Sequence, residues 1–218
     1  MTVELLEDGK KRIRAPLTDE DVRQLGAGDV VLISGVMYAA RDAAHKLLVE
    51  MLDAGQELPF DPTGQIVYYV GPSPEKPGHA IGSAGPTTAS RMDAYTPRML
   101  EIGLKGIVGK GGRGPSVRES LKEHTGVYMA ALGGGGALAA LQIRAQKVIA
   151  FPELGPEAIR EMEVKDFPVW VIDDCRGQDF YGRAVAPWRK NDLLPEEFRL
   201  PATAERPTRR TGIASETR

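Results

Sequence analysis

Residues 28–55 read GDVVLISGVMYAARDAAHKLLVEMLDAG, and the order of this stretch decides the fold class. Val30 to Ile33 make a continuous apolar run rich in β-branched side chains, which predicts a buried strand over residues 30–34. Ala43, Ala44, Leu47, Leu48 and Met51 then recur at helical spacing and predict a helix over residues 40–52, with Gly55 placed to end it. Strand followed by helix is the building unit of an α/β protein.

Working outward, the same alternation continues. Residues 66–70, 106–108, 127–132, 147–151 and 169–172 are apolar, β-favouring runs, and residues 88–102, 116–123 and 156–162 are predicted helices. Near the start, residues 2–6 and 11–14 flank Asp8-Gly9, a dipeptide suited to a tight hairpin turn. Thr18 followed by Asp19, Glu20 and Asp21 signals a capped short helix that Gly26 or Gly28 stops. Beyond Phe198 large apolar side chains become scarce, so the expected organisation is one α/β domain over residues 1–198 and a loose tail over 199–218. Arg206, Arg209 and Arg210 read as part of a solvated terminus.

Composition removes several functional classes. With 218 residues, 42% hydrophobic and 27% charged, the chain can bury an ordinary core and is neither wholly disordered nor a coiled coil. Lys and Arg total 28 against 30 Asp and Glu, so no global basic field exists to hold a phosphate backbone, and nucleic acid is not an expected partner. Apolar runs fall short of the roughly 20 residues that span a bilayer, so no membrane is expected. Cys175 is the one cysteine, and with no secretory signal pattern ahead of it the expected compartment is the cytoplasm. A lone thiol cannot hold an iron–sulfur cluster, which takes three or four.

The 25 glycines and 16 prolines point to short elements joined by backbone-lined loops, and three of those loops concentrate glycine with cations or hydroxyls. In residues 34–45, Arg41 falls in the first helical turn, where a cation opposes the helix dipole and calls for an anion nearby. A surface pair with Asp42 or Glu50 would also satisfy it, and His45 on the same face reads as a packing or hydrogen-bonding residue ahead of a proton carrier. In residues 82–93, Gly82 and Gly85 allow close backbone approach, and Thr87 or Thr88 opens a helix with Arg91 one turn further on. The simpler reading there is a threonine N-cap followed by a surface arginine. In residues 106–114, Lys110 stands among glycines after a short strand, but the spacing fails the phosphate-loop pattern and leaves ATP a weak alternative. Gly133 to Gly136 reads as a tight strand-to-helix turn in preference to an anion nest.

Together these segments resemble the class I iron–sulfur fumarase and L-tartrate dehydratase family, in its β subunit or the C-terminal domain of its fused members. The resemblance covers about residues 15–181 and is carried by Gly28 to Gly35, Arg41-Asp42-Ala43-Ala44-His45-Lys46, Tyr69-Val70-Gly71-Pro72, Gly85-Pro86-Thr87-Thr88, Arg91-Met92-Asp93, Gly109-Lys110-Gly111-Gly112 and Asp173 to Gly177. It implies a swivelling β/β/α domain and the reversible hydration of fumarate to L-malate. It also implies a [4Fe–4S] cluster held by an α subunit, with the active site formed between the two chains and no metal ligand here. The residue matching the proposed base is Thr87, those matching the carboxylate-holding arginines are Arg41 and Arg91, and Lys110 matches a lysine that reaches substrate. Forked guanidinia suit a dicarboxylate, and fixed cations stabilise the enediolate-like carbanion formed on deprotonation. The acid that protonates the leaving hydroxyl is expected from the α subunit.

Two other readings stand beside this one. A sister dehydratase acting on tartrate or another hydroxy-diacid would use the same cations, and a non-catalytic anion-binding or assembly module would use the loops only for docking. Without its partner the chain is expected to form a homodimer through apolar surface left uncovered.

Overall fold

The computed structural model describes residues 3–188 and 196. The first strands, β1 (Val3–Leu5) and β2 (Lys11–Arg14), pair antiparallel about Gly9, whose φ of +80° suits the turn. Helix α1 (Asp19–Arg23) starts with a capping box, in which Thr18 accepts from the Asp21 N–H while the Asp21 carboxylate accepts from the Thr18 N–H.

Strand β3 runs over Val30–Ala39, five residues beyond the expected end at residue 34. The Ser34-Gly35 pair that reads as the start of a loop is instead a bulge. The register against a later strand shifts between Ile33 and Gly35, and Gly35 takes a φ of +98° with a virtual Cβ 3.1 Å from the Ala15 carbonyl oxygen. Half of the first candidate loop, residues 34–39, is therefore strand, and only Ala40 and Arg41 separate it from helix α2 (Asp42–Asp53).

Strand β4 (Ile66–Tyr68) follows, and then a long connection to a 3-10 turn (Ala89–Met92) and helix α3 (Thr96–Glu101). The single helix expected over 88–102 is thus broken. Pro97 has no N–H to give to the preceding turn, so it sits in the first turn of a new helix. Strand β5 (Gly106–Gly109), helix α4 (Pro115–Glu123), strand β6 (Val127–Ala130) and helix α5 (Gly136–Ala140) keep the alternation. Strands β7 (Ile143–Ala150) and β8 (Ile159–Asp173) complete the described sheet. The helix expected over 156–162 is absent: a 3-10 turn (Pro152–Glu157) containing Gly155 at φ 57°, ψ −114° leads straight into β8.

The sheet order is β1-β2-β3-β4-β5-β6-β8-β7, with β3 also paired to β8. Strands β3 to β6 are mutually parallel, and β8 runs antiparallel to both β3 and β6. That extra pairing makes β3, β4, β5, β6 and β8 a closed ring of neighbours. Alternate residues of the short strands feed two cores. Ile66, Tyr68, Val108 and Met129 join one cluster with Ile33, Met37 and Phe167. Val67, Tyr69, Ile107 and Tyr128 face another that holds Leu48, Met99 and Leu121 from α2, α3 and α4.

The chain divides into two units, Met1–Gly182 and Arg183–Arg218. In the second, residues 183–188 end a helix (Phe180–Val185) and form a 3-10 turn (Ala186–Trp188), all exposed. The tail expected over 199–218 lies outside the described residues. No helix among the described residues is long and apolar enough to cross a membrane.

Candidate functional site

Parallel strands β3, β4, β5 and β6 deliver their following residues to one end of the sheet, where ligand sites of open α/β sheets form. Arg41 follows β3, Tyr69 to Gly71 follow β4, Lys110 follows β5, and the four-glycine turn follows β6. The connection carrying Thr87 and Arg91 is stitched across these ends. The Thr87 N–H donates to the Tyr69 carbonyl (2.7 Å), the Lys110 N–H donates to the Thr87 carbonyl (3.1 Å), and the Ala89 N–H donates to the Lys110 carbonyl (2.9 Å). Thr87 and Lys110 are therefore backbone neighbours. Gly109 is needed for this approach, since a Cβ there would lie 3.0 Å from Ala89 Cβ and 3.2 Å from the Tyr69 ring.

Arg41 is the N-cap residue of α2. Its Nη2 lies 3.4 Å from Asp42 Oδ1 and 3.2 Å from Glu157 Oε1, so the predicted counter-charge exists, with Glu157 in place of Glu50. Glu157 also accepts from the Ala43 N–H (3.2 Å), which satisfies a free donor at the start of the helix. The Arg41 stem presses on Gly71, where a Cβ would stand 2.8 Å from Nη1, and its Nε is buried without a hydrogen-bond partner among the described residues.

Arg91 comes from the other connection and brings its Nη2 to 3.5 Å from Asp42 Oδ2. Two guanidinia from separate segments thus meet the two oxygens of one carboxylate. Arg91 is exposed on the open side, Thr87 is half-buried, and Lys110 is exposed beside the glycine turn, with its Cδ 3.8 Å from a virtual Cβ at Gly133. Thr88, the N-cap residue of the 3-10 turn, makes no side-chain cap. That turn spans four residues, so its dipole contributes little at Thr87.

His45 is fully buried beneath Arg41. Its Nδ1 lies 2.9 Å from the Arg41 carbonyl, to which the Nδ1-protonated tautomer donates, while Nε2 is buried without a partner among the described residues. The ring packs edge-on to Tyr69 and over Tyr95. Burial pushes the imidazole down to about 4, so it is neutral at physiological pH and serves the expected packing and hydrogen-bonding role.

Sequence reasoning missed the buried polar layer under these segments. Arg113, Asp93 and Thr96 are joined by hydrogen bonds there, and the half-buried Glu157 is joined to Arg41 beside the expected Asp42. Arg113 had a legible signal, a bulky cation flanked by Gly112 and Gly114, whereas Glu157 stands 114 residues from its partner Ala43 and had none. A groove of about 510 Å3 near the β3 bulge is lined by Arg12, Arg14 and Asp166 and includes none of the four candidate side chains.

Among the described residues no group of three or more His, Cys, Asp or Glu is placed to hold a metal ion. Cys175 packs partly buried against the sheet core, where burial pushes its thiol up. This donor set does not fit an iron–sulfur cluster.

Residues 4–184 match the family model described as Fumarase C-terminus. Fumarate hydratase 2 of Leishmania major is 38% identical over 169 residues, covering 77% of this chain and 30% of that protein. The anaerobic class I fumarate hydratase of Escherichia coli K12 is 40% identical over 155 residues, 70% of this chain and 28% of that protein. A protein of Methanocaldococcus jannaschii named "Putative L(+)-tartrate dehydratase subunit beta" is 39% identical over 171 residues, 76% of this chain and 88% of that protein. The chain spans about a third of the length of the fumarate hydratases and nearly all of the separate subunit.

Proposed function

The chain belongs to the fumarase C-terminus family, and from that premise we propose that it is the β-type part of an iron–sulfur-dependent fumarate hydratase, a hydro-lyase interconverting fumarate and L-malate. The observation that carries this reading is the convergence of Arg41 and Arg91 on the carboxylate of Asp42, at the sheet end where Thr87 and Lys110 are joined through their backbones. A guanidinium grips a carboxylate through two parallel hydrogen bonds, so two of them suit an anion with two carboxylates.

In the dehydration direction Arg41, Arg91 and Lys110 hold the substrate carboxylates. Thr87, as its alkoxide, takes the proton from the carbon beside one carboxylate, and the electron pair left behind delocalises into that carboxylate under the same cations. The hydroxyl leaves the neighbouring carbon as water, with a proton from an acid on the α partner. A threonine hydroxyl is a weak base at neutral pH and requires cations at short range. The following 3-10 turn is too short to supply them, so the task falls to Lys110 and Arg91.

The [4Fe–4S] cluster of this reading sits on the α partner, and no step assigned to this chain runs through it. The exposed Arg91 and Lys110, with Leu132, Leu138 and Leu141 exposed before, on and just after α5, support a covering partner, or a second copy when the chain is isolated. The two cores, strand against strand and strand against helix, suit the swivelling β/β/α domain. The lone thiol suits the cytoplasm.

A second reading is the β subunit of an L-tartrate dehydratase, favoured by one observation: a relative so named is as similar, at 39% identity, as the fumarate hydratases are at 38–40%. Turnover of fumarate and of L-tartrate by the assembled pair separates the two. Thr87→Val in that pair is expected to assemble normally and to lose turnover by about 1,000-fold, within the range for loss of a general base. Wild-type turnover by the assembled variant would remove Thr87 from the chemistry.

A further inference from the structure

Arg113 lies between β5 and α4 and is not one of the side chains assigned to substrate. Its guanidinium is 0% exposed and lies between two rings, with Cζ 5.4 Å from the centroid of Tyr69 and 5.1 Å from that of Tyr128. Nε donates to Asp93 Oδ1 at 2.8 Å and Nη2 donates to Thr96 Oγ1 at 2.6 Å. Burying a cation costs more than a surface position unless its geometry is satisfied, so such a residue calls for a structural or functional reason.

Its partners belong to the segments that bear the candidate site. Asp93 stands two residues after Arg91, and its second oxygen accepts the Gly114 N–H at 2.8 Å. The Thr96 hydroxyl is fully used: it donates to the Met92 carbonyl at 2.8 Å and lies 2.9 Å from the Tyr69 hydroxyl, besides accepting from Arg113. The Tyr69 carbonyl in turn receives the Thr87 N–H. On the opposite side, the Tyr128 hydroxyl donates to the Gly111 carbonyl at 2.7 Å, one residue after Lys110. One guanidinium therefore touches the supports of Thr87, Arg91 and Lys110 together.

We infer that Arg113 is a positioning residue, a buried clamp that holds the Thr87, Arg91 and Lys110 segments at fixed spacing before an anion arrives. The functional side of this inference rests on those three residues facing substrate; the clamp itself does not. A lysine would keep the charge but lack the fork that reaches Asp93 and Thr96 at once.

Amide hydrogen exchange on the intact chain tests the clamp without any substrate. Arg113→Lys is expected to speed exchange of the Thr87, Ala89 and Lys110 amides about tenfold or more, while amides joining β3 to β8 keep their rates. Thr96→Val, nearly isosteric, removes one arm and is expected to act in the same direction if Arg113→Lys fails to fold, and Thr96→Ser restores wild-type protection. In the assembled pair, Arg113→Lys and Thr96→Val are expected to lower kcat/KM about 100-fold, as loss of alignment does, and Thr96→Ser to stay within about twofold. Unchanged exchange at the three amides, or a uniform rise throughout the chain, would overturn the clamp. Selective loosening in a pair that turns over no hydroxy-diacid would support the clamp and discard the substrate reading.

Discussion

Arg41 and Arg91 have the same chemistry but different settings, and that difference separates stability from function. Arg91 is about half exposed, and its one ion pair is a long contact to Asp42 at 3.5 Å, so its removal takes away little folding energy. Arg91→Met is expected to melt within a degree or two of wild type, because surface pairs contribute less than about 1 kcal/mol, yet to lose about 100-fold in kcat/KM. Thermal melting beside steady-state kinetics of the assembled pair checks both halves. His45 makes a different prediction. Its folded value of about 4 lies below the ordinary 6.5, so between those values the unfolded chain binds more protons and stability falls as pH drops from about 6.5 to 4. Asp173 acts oppositely: burial first, then Asp179, raises it to about 7, so in the folded state it holds a proton that the unfolded chain releases, and its contribution grows on acidification. Denaturant unfolding of His45→Gln across this range should lack the histidine's share of the acid loss. An unchanged pH slope would contradict a neutral buried imidazole.

Among elements, the short strand β5 shows how tightly the site is built into the sheet. Gly109→Ala puts a methyl group 3.0 Å from Ala89 Cβ and 3.5 Å from the Thr87 carbonyl oxygen. The expected cost is about 1–3 kcal/mol of stability, together with a fall in kcat, read from urea unfolding and kinetics. The helical spacing of Leu47, Leu48 and Met51 and the apolar run at Val30 revealed α2 and the start of β3, because those patterns depend on neighbours a few residues apart. Two of the errors have local causes and the third does not. Ser34-Gly35 looks like a loop but is a bulge; the apparent helix over 88–102 is cut before Pro97; the helix expected at 156–162 loses to β8, whose residues pair with both β3 and β7. That double pairing is a long-range effect, and no local window of sequence contains it.

At the scale of the whole molecule, the candidate cations were legible because glycine and a fixed charge recur after apolar runs. Of the groups that orient them Asp42 was legible as a neighbour of Arg41, while Glu157, Asp93 and Thr96 were not, because they acquire their meaning from contacts between distant segments. The result is one end of a sheet where Arg91 and Lys110 are exposed and Arg41 and Thr87 are partly buried beside the strands that they follow. The most direct test is anaerobic fumarate hydration, followed as loss of fumarate ultraviolet absorbance, with the chain alone and with a co-expressed, cluster-loaded α partner. Activity confined to the pair is the predicted result; turnover by this chain alone would contradict a site shared between two polypeptides.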